Sequence, residues 1–168
     1  MRILAISDTS LIPEYVKMVD RFHPDIIALA GDYDELPAYS LDNYMELVKK
    51  DFYDFLFYAG TKSKILVIRG NHDDPKWSGD ASYYSIRKIN SISGCMEISN
   101  KTAEINGLRF LGLDYDKSRI NKTLLPFIEK YKDEIDVVIS HSDLSKIHHL
   151  TKLKPKIIIS GHSRGGIY

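Results

Sequence analysis

The chain has 168 residues, the size of one ordinary domain with a real core. Lysine plus arginine equals aspartate plus glutamate at 23 each, so nothing suggests a strongly basic nucleic-acid surface or an acidic tail, though neutrality still allows a local electropositive pocket. Cys95 is the only cysteine, which rules out an intramolecular disulfide, fits a reducing compartment and reads as a packing residue.

In chain order, Met1-Arg2-Ile3-Leu4-Ala5-Ile6-Ser7-Asp8 opens with an apolar run too short for a signal peptide or a membrane span, so a soluble, cytoplasmic protein is expected. Ile3–Ser7 predicts a strand covered on both faces. Pro13–Phe22 predicts a helix with Pro13 in its first turn, and Ile26–Ala30 a second strand. Leu41–Tyr58 predicts a long helix capped by Ser40 and closed by Gly60. Tyr44, Val48, Phe52, Phe55 and Leu56 share one face of it and read as core. A strand at Ile65–Ile68 and a helix at Ser82–Ile89 follow.

Three short strands come next, Met96–Ile98, Ala103–Ile105 and Leu108–Leu113, with Asn106-Gly107 as a two-residue hairpin turn. An antiparallel piece is therefore expected inside a βα alternation. The alternation resumes with a helix at Leu124–Lys132, a strand at Val137–Ser140, a helix at Leu144–Leu150 and a strand at Ile157–Ser160. No repeat, low-complexity tract or linker divides the chain, so one α/β domain spanning 1–168 is expected, with two packed sheets and helices outside.

Where the apolar runs stop, chemistry-bearing residues begin. Asp8 follows the first strand, Gly31-Asp32 the second, Gly70-Asn71-His72-Asp73 the third, and His141 and Gly161-His162 the last two. Parallel strands deliver the residues at their chain ends to one sheet edge. Two carboxylates brought together there repel unless a cation lies between them. Asp32, Asn71, His141 and His162 form a mixed oxygen and nitrogen set suited to Mn²⁺, Fe²⁺ or Zn²⁺ rather than Ca²⁺, with an open position for water or phosphate. His72 should point elsewhere and is proposed as a proton donor to a leaving oxygen, its ring held by Glu35.

These clusters, in this order, resemble the calcineurin-like metallophosphoesterase superfamily, whose signature runs Asp-x-His, Gly-Asp, Gly-Asn-His-Asp/Glu, a lone His and Gly-His-x-His. The matching stretches are Asp8-Thr9-Ser10, Gly31-Asp32, Gly70-Asn71-His72-Asp73, His141 and Gly161-His162-Ser163-Arg164. The resemblance implies a four-layer α/β/β/α sandwich of two mixed sheets flanked by helices. It also implies a binuclear centre with Asp8 among its ligands and Asp32 bridging. Hydrolysis of phosphomonoesters or phosphodiesters by a metal-bound hydroxide would follow, with His72 as general acid. The implied cofactor is Mn²⁺, or else Fe²⁺, Zn²⁺ or Ni²⁺, as one or two ions, and the implied partner a small phosphoester or nucleotide.

Two departures fall in one metal seat. Ser10 stands where the family has the histidine of Asp-x-His, and Arg164 where it has the last histidine of Gly-His-x-His. A serine hydroxyl is a poor ligand and a guanidinium is none, so that seat should hold metal weakly or not at all. The other seat is complete. Arg164 carries a permanent charge and a planar fork, suited to pairing with Asp8 or gripping a phosphate. The alternative reading is a catalytically silent scaffold on the same fold. Relatives continue with further strands, so the chain reads as C-terminally shortened after Arg164.

The remaining candidates read blandly. His23, His148 and His149 sit near helix ends, and Asp114 and Asp116 are expected in a solvated turn. Trp77, Tyr83 and Tyr84 belong to a loop expected to overhang the site.

Overall fold

A computed structural model of the chain describes residues 1–8, 12–33, 42–73, 85–116, 122, 124–126, 128–130, 134–142 and 153–162. Its elements run β1 (Ile3–Ile6), α1 (Ile12–Phe22), β2 (Ile26–Ala30), α2 (Asp42–Gly60), β3 (Lys64–Ile68), α3 (Ile86–Ser91), β4 (Cys95–Glu97), β5 (Thr102–Ile105), β6 (Leu108–Leu113), β7 (Val137–Ser140) and β8 (Ile157–Ser160). Residues 124–126 and 128–130 are helical as well. Ser85 is the N-cap of α3, its hydroxyl accepting the Lys88 N–H at 3.3 Å, and residues 82–84 of the helix expected over Ser82–Ile89 lie outside the described residues. Ser40 and the helix expected over Leu144–Leu150 lie outside the described residues.

Two four-stranded sheets form, in the orders β1-β2-β3-β4 and β5-β6-β7-β8. The first is parallel throughout. The second is mixed, because only the β5–β6 hairpin is antiparallel while β6, β7 and β8 run parallel. Only part of the expected antiparallel insert is thus antiparallel: its first strand pairs parallel with β3 and completes the first sheet.

Period-two alternation sorts the side chains into layers. Along β2, Ile27 and Leu29 join Val19, Phe52, Phe55 and Leu56 beneath α1 and α2. Ile26, Ala28 and Ala30 face the other way and pack with Leu66, Ile68, Phe110, Val137 and Ile139 between the sheets. Along β7, Val138 turns outward to join Leu111, Leu113, Leu124, Ile128 and Leu153. Three apolar layers separate four structural ones, the α/β/β/α sandwich that the resemblance implies, but with one mixed sheet rather than two, since β4 joins the first sheet in parallel. Each fully buried Ile, Leu or Phe contributes about 1.5–3 kcal/mol relative to an exposed one.

The consequence for function lies at one edge. β2 faces β7 and β8 across the sandwich, and all five of β1, β2, β3, β7 and β8 point the same way within their sheets. Their C-terminal residues therefore emerge together. Among the described residues, no helix is long and apolar enough to cross a membrane.

Candidate metal centre

The strand ends are followed by unusual backbone. Asp8, Asp32 and His162 each adopt a left-handed conformation, with φ of 57°, 55° and 63°. Non-glycine residues take this region seldom, and such outliers gather at functional sites because surrounding contacts must hold them. Gly31, at φ 88°, allows the turn ahead of Asp32. A methyl group on Gly31 would lie 2.5 Å from the Gly70 nitrogen and 2.8 Å from His141 Nδ1, so the three strand ends close over a bare backbone.

His141 sits at the centre and is fully buried. Its Nδ1 lies 2.9 Å from the Ala30 carbonyl, and a carbonyl only accepts, so Nδ1 carries a proton. In the neutral ring Nε2 then presents a lone pair. Around that lone pair stand Asp32 Oδ2, Asn71 Oδ1 and His162 Nδ1, each 3.1 Å away. The donor atoms of Asp32, His141 and His162 all lie within 4.8 Å of one another.

Electron-rich atoms crowded in this way need something positive among them. Ligands bonded to one ion at about 2.1 Å stand about 3.0 Å apart at right angles and about 3.4 Å apart at tetrahedral angles. The 3.1 Å separations fall in that interval, so the residues present fit a divalent ion. A proton on Nε2 is the competing solution. Burial pushes the His141 imidazole down, but the hydrogen bond and charge of Asp32, the Ala30 carbonyl and the charge of Asp8 together hold it above its ordinary value. Burial likewise pushes the Asp32 carboxyl up, and His141 and the His72 backbone and ring outweigh it and hold it low.

Asp32 is oriented from two sides. Its Oδ1 accepts the His72 backbone N–H at 2.9 Å, which leaves Oδ2 turned toward His141. Its own N–H donates to Asp73 Oδ2 at 2.8 Å, the oxygen that also accepts from Gly70 at 2.7 Å. Tyr33 adds a third tie: its hydroxyl accepts the Gly31 N–H at 2.9 Å and donates to the Ile68 carbonyl at 2.7 Å, with its ring stacked on Phe52. Sequence reasoning assigned no role to Asp73 or Tyr33. Their adjacency to Asn71-His72 and Asp32 was the available signal, and a buried acid beside several backbone N–H groups is what gives it meaning.

Asp8 stands beside this group. Its Oδ2 accepts the His162 backbone N–H at 2.8 Å and the Ser7 hydroxyl, and its own N–H donates to the Gly31 carbonyl at 3.1 Å. His72 has an exposed side chain and reaches Asp32 through its backbone. Ser10, Glu35, Trp77, Tyr83, Tyr84, His148, His149 and Arg164 lie outside the described residues.

One bland reading is corrected. Asp114 is fully buried rather than solvated. It lies 3.4 Å from the Arg69 guanidinium and accepts from Asn100 Nδ2 at 3.4 Å, beside an equally buried Glu97 that Lys101 pairs at 3.0 Å. Arg69 arrives from the end of β3, 45 positions away in sequence, which is why local reading saw only a turn. His23 ends α1 with φ 44° and its N–H on the Val19 carbonyl, a helix-terminating role.

The chain belongs to the calcineurin-like phosphoesterase family, whose model matches residues 1–164. That family uses divalent metals, and its fold serves metal-dependent phosphoester hydrolases and scaffolds. No curated protein matches the chain.

Proposed function

We propose that the chain hydrolyses phosphomonoesters or phosphodiesters at a divalent ion held by Asp32, Asn71, His141 and His162. The observation that carries this reading is the crowding around His141 Nε2, ringed at 3.1 Å by a carboxylate oxygen, an amide oxygen and a second imidazole nitrogen. The mixed donor set favours Mn²⁺, Fe²⁺, Ni²⁺ or Zn²⁺ over Ca²⁺. Bound there, such an ion supplies Lewis-acid polarisation of a phosphoryl oxygen and acidifies a water molecule.

The chain's own groups do the rest. The buried carboxylate of Asp32 and ring of His141 exclude bulk water from one side of the centre, while the exposed His162 leaves the other open to a substrate. His72, exposed at the rim, donates a proton to the departing oxygen. Arg164 offsets charge that builds on the equatorial phosphoryl oxygens. The substrate is a small phosphoester or nucleotide, and the setting is cytoplasmic, in keeping with a single cysteine.

A second reading, a silent scaffold on the same fold, is favoured by Ser10 and Arg164 standing where family ligands stand. The two separate in an assay of bis(p-nitrophenyl) phosphate and p-nitrophenyl phosphate with added Mn²⁺. Chelator-sensitive turnover that His72→Ala abolishes supports the hydrolase. Metal uptake without turnover on either ester, across the divalent series, supports the scaffold.

A further inference from the structure

We propose that Asp8 serves the centre by positioning His162 rather than by ligating an ion, so that each chain takes up one divalent ion. The inference rests on the metal centre proposed above and names how this chain completes it.

Three observations converge on Asp8. First, a single oxygen, Oδ2, accepts both the His162 backbone N–H at 2.8 Å and the Ser7 hydroxyl, so two donors already use that atom. Second, Asp8 is not a member of the group whose donor atoms all lie within 4.8 Å of one another, although Asp32, His141 and His162 are. Third, His162 holds a left-handed backbone at φ 63°, uncommon for a non-glycine residue, and its N–H is fixed by a bond to Asp8. That bond spans the two sheets, from the end of β1 to the end of β8. Gly161 permits the approach: a methyl group there would lie 2.0 Å from Ser7 Oγ and 2.8 Å from Asp8 Oδ2.

The arrangement sets the ring of His162. With its N–H anchored and φ held, Nδ1 is delivered 3.1 Å from His141 Nε2, with the two rings edge to face at 73°. Without the anchor the backbone relaxes toward common conformations and the ring leaves the donor group. A positioning carboxylate and a ligating one respond differently to loss of charge. The positioning role needs only an oxygen acceptor at the Oδ2 position, which an asparagine carbonyl supplies. The ligating role needs the negative charge.

Divalent-ion stoichiometry by elemental analysis and dissociation constants for Mn²⁺ by chelator competition test this on the full chain, with folding checked by circular dichroism. One ion per wild-type chain is expected. Asp8→Asn should bind more weakly than wild type, because the Asp8 charge that reaches His141 is lost, but clearly more tightly than Asp8→Ala, because the acceptor for the His162 N–H is kept. Asp8→Ala should lose about 10–100-fold, as for other residues that orient a ligand. Two ions per wild-type chain, an Asp8→Asn as weak as Asp8→Ala, or an Asp8→Ala as tight as wild type would each overturn the inference. Should Asp8→Ala fail to fold, wild-type stoichiometry and Asp8→Asn still decide. A wild-type chain that binds no ion overturns instead the metal centre on which all of this stands.

Discussion

Asp73 and Asp32 hold each other's loops in a reciprocal clasp: the Asp73 carboxylate accepts the Asp32 N–H at 2.8 Å, while the Asp32 carboxylate accepts the N–H of His72, next to Asp73, at 2.9 Å. Through the second bond to Gly70 N–H at 2.7 Å, the clasp joins the ends of β2 and β3, with both carboxylates buried. It fixes which oxygen of Asp32 faces His141.

Asp73→Ala should therefore damage both fold and centre. The hydrogen bonds from the Asp32, Tyr33 and Gly70 N–H groups vanish and those buried donors lose their acceptor, at a cost of about 3 kcal/mol. Denaturant titration of the metal-free chain measures that loss. Mn²⁺ affinity should drop about 10–100-fold as Asp32 loses its orientation. A variant of normal affinity would remove Asp73 from the centre's support.

Acidification should loosen the ion, and the metal-free chain should show the opposite trend on the alkaline side. His141 is held above its ordinary value, so its contribution to stability is fully present below the usual imidazole range and disappears as pH rises through the raised value. Asp32 is held low, so its contribution is present above the usual carboxylate range and disappears as pH falls through the lowered value. Ion and proton compete for Nε2, so Mn²⁺ affinity climbs as His141 gives up its proton. Melting temperatures of chelated wild type and His141→Gln between about pH 6 and 9 test this, since the gap between them should narrow as pH rises. A gap that widens would contradict the pairing.

Gly161→Ala should wedge the end of β8 away from β1, because its new methyl group falls 2.0 Å from Ser7 Oγ and 2.9 Å from the Ala30 carbonyl. We expect weakened Mn²⁺ binding by about 10–100-fold. Adding Ser7→Ala removes the closest clash and should recover part of the loss, a coupling measurable in a double-mutant cycle. Additive losses would show that the clash is not the cause.

Cys95 should be chemically quiet in the folded chain. Burial pushes its thiol up to about 11, and its S–H points at the Leu56 carbonyl, 3.8 Å away. Near neutral pH almost no thiolate exists, so a disulfide reagent should react about 100-fold more slowly with native than with unfolded protein. Equal rates would mean that this part of the sheet edge opens freely.

The legible parts of this chain were those written locally. Apolar runs announced β1, β2, β3, β7 and β8, and Asn106-Gly107 announced the β5–β6 hairpin, because such runs and a two-residue turn leave marks within a few positions; the expected cover on both faces holds for β2 and β7 but not for β8, where Ile157 and Ile158 are exposed. The order of Asp8, Asp32, Asn71, His141 and His162 after those runs likewise singled out one edge. The parallel pairing of β4 with β3 left no such mark, nor did the burial of Asp114, since each depends on a partner from a distant segment.

The sequence alone therefore set the composition of the centre: which donor atoms exist, and that they follow strands. Folding alone set their use. The proton on His141 Nδ1 is dictated by the Ala30 carbonyl, the free oxygen of Asp32 by the His72 N–H, and the backbone of His162 by Asp8. Each is a hydrogen bond between segments far apart in the chain, and direction in such bonds is decided only when the strands that carry them are laid side by side.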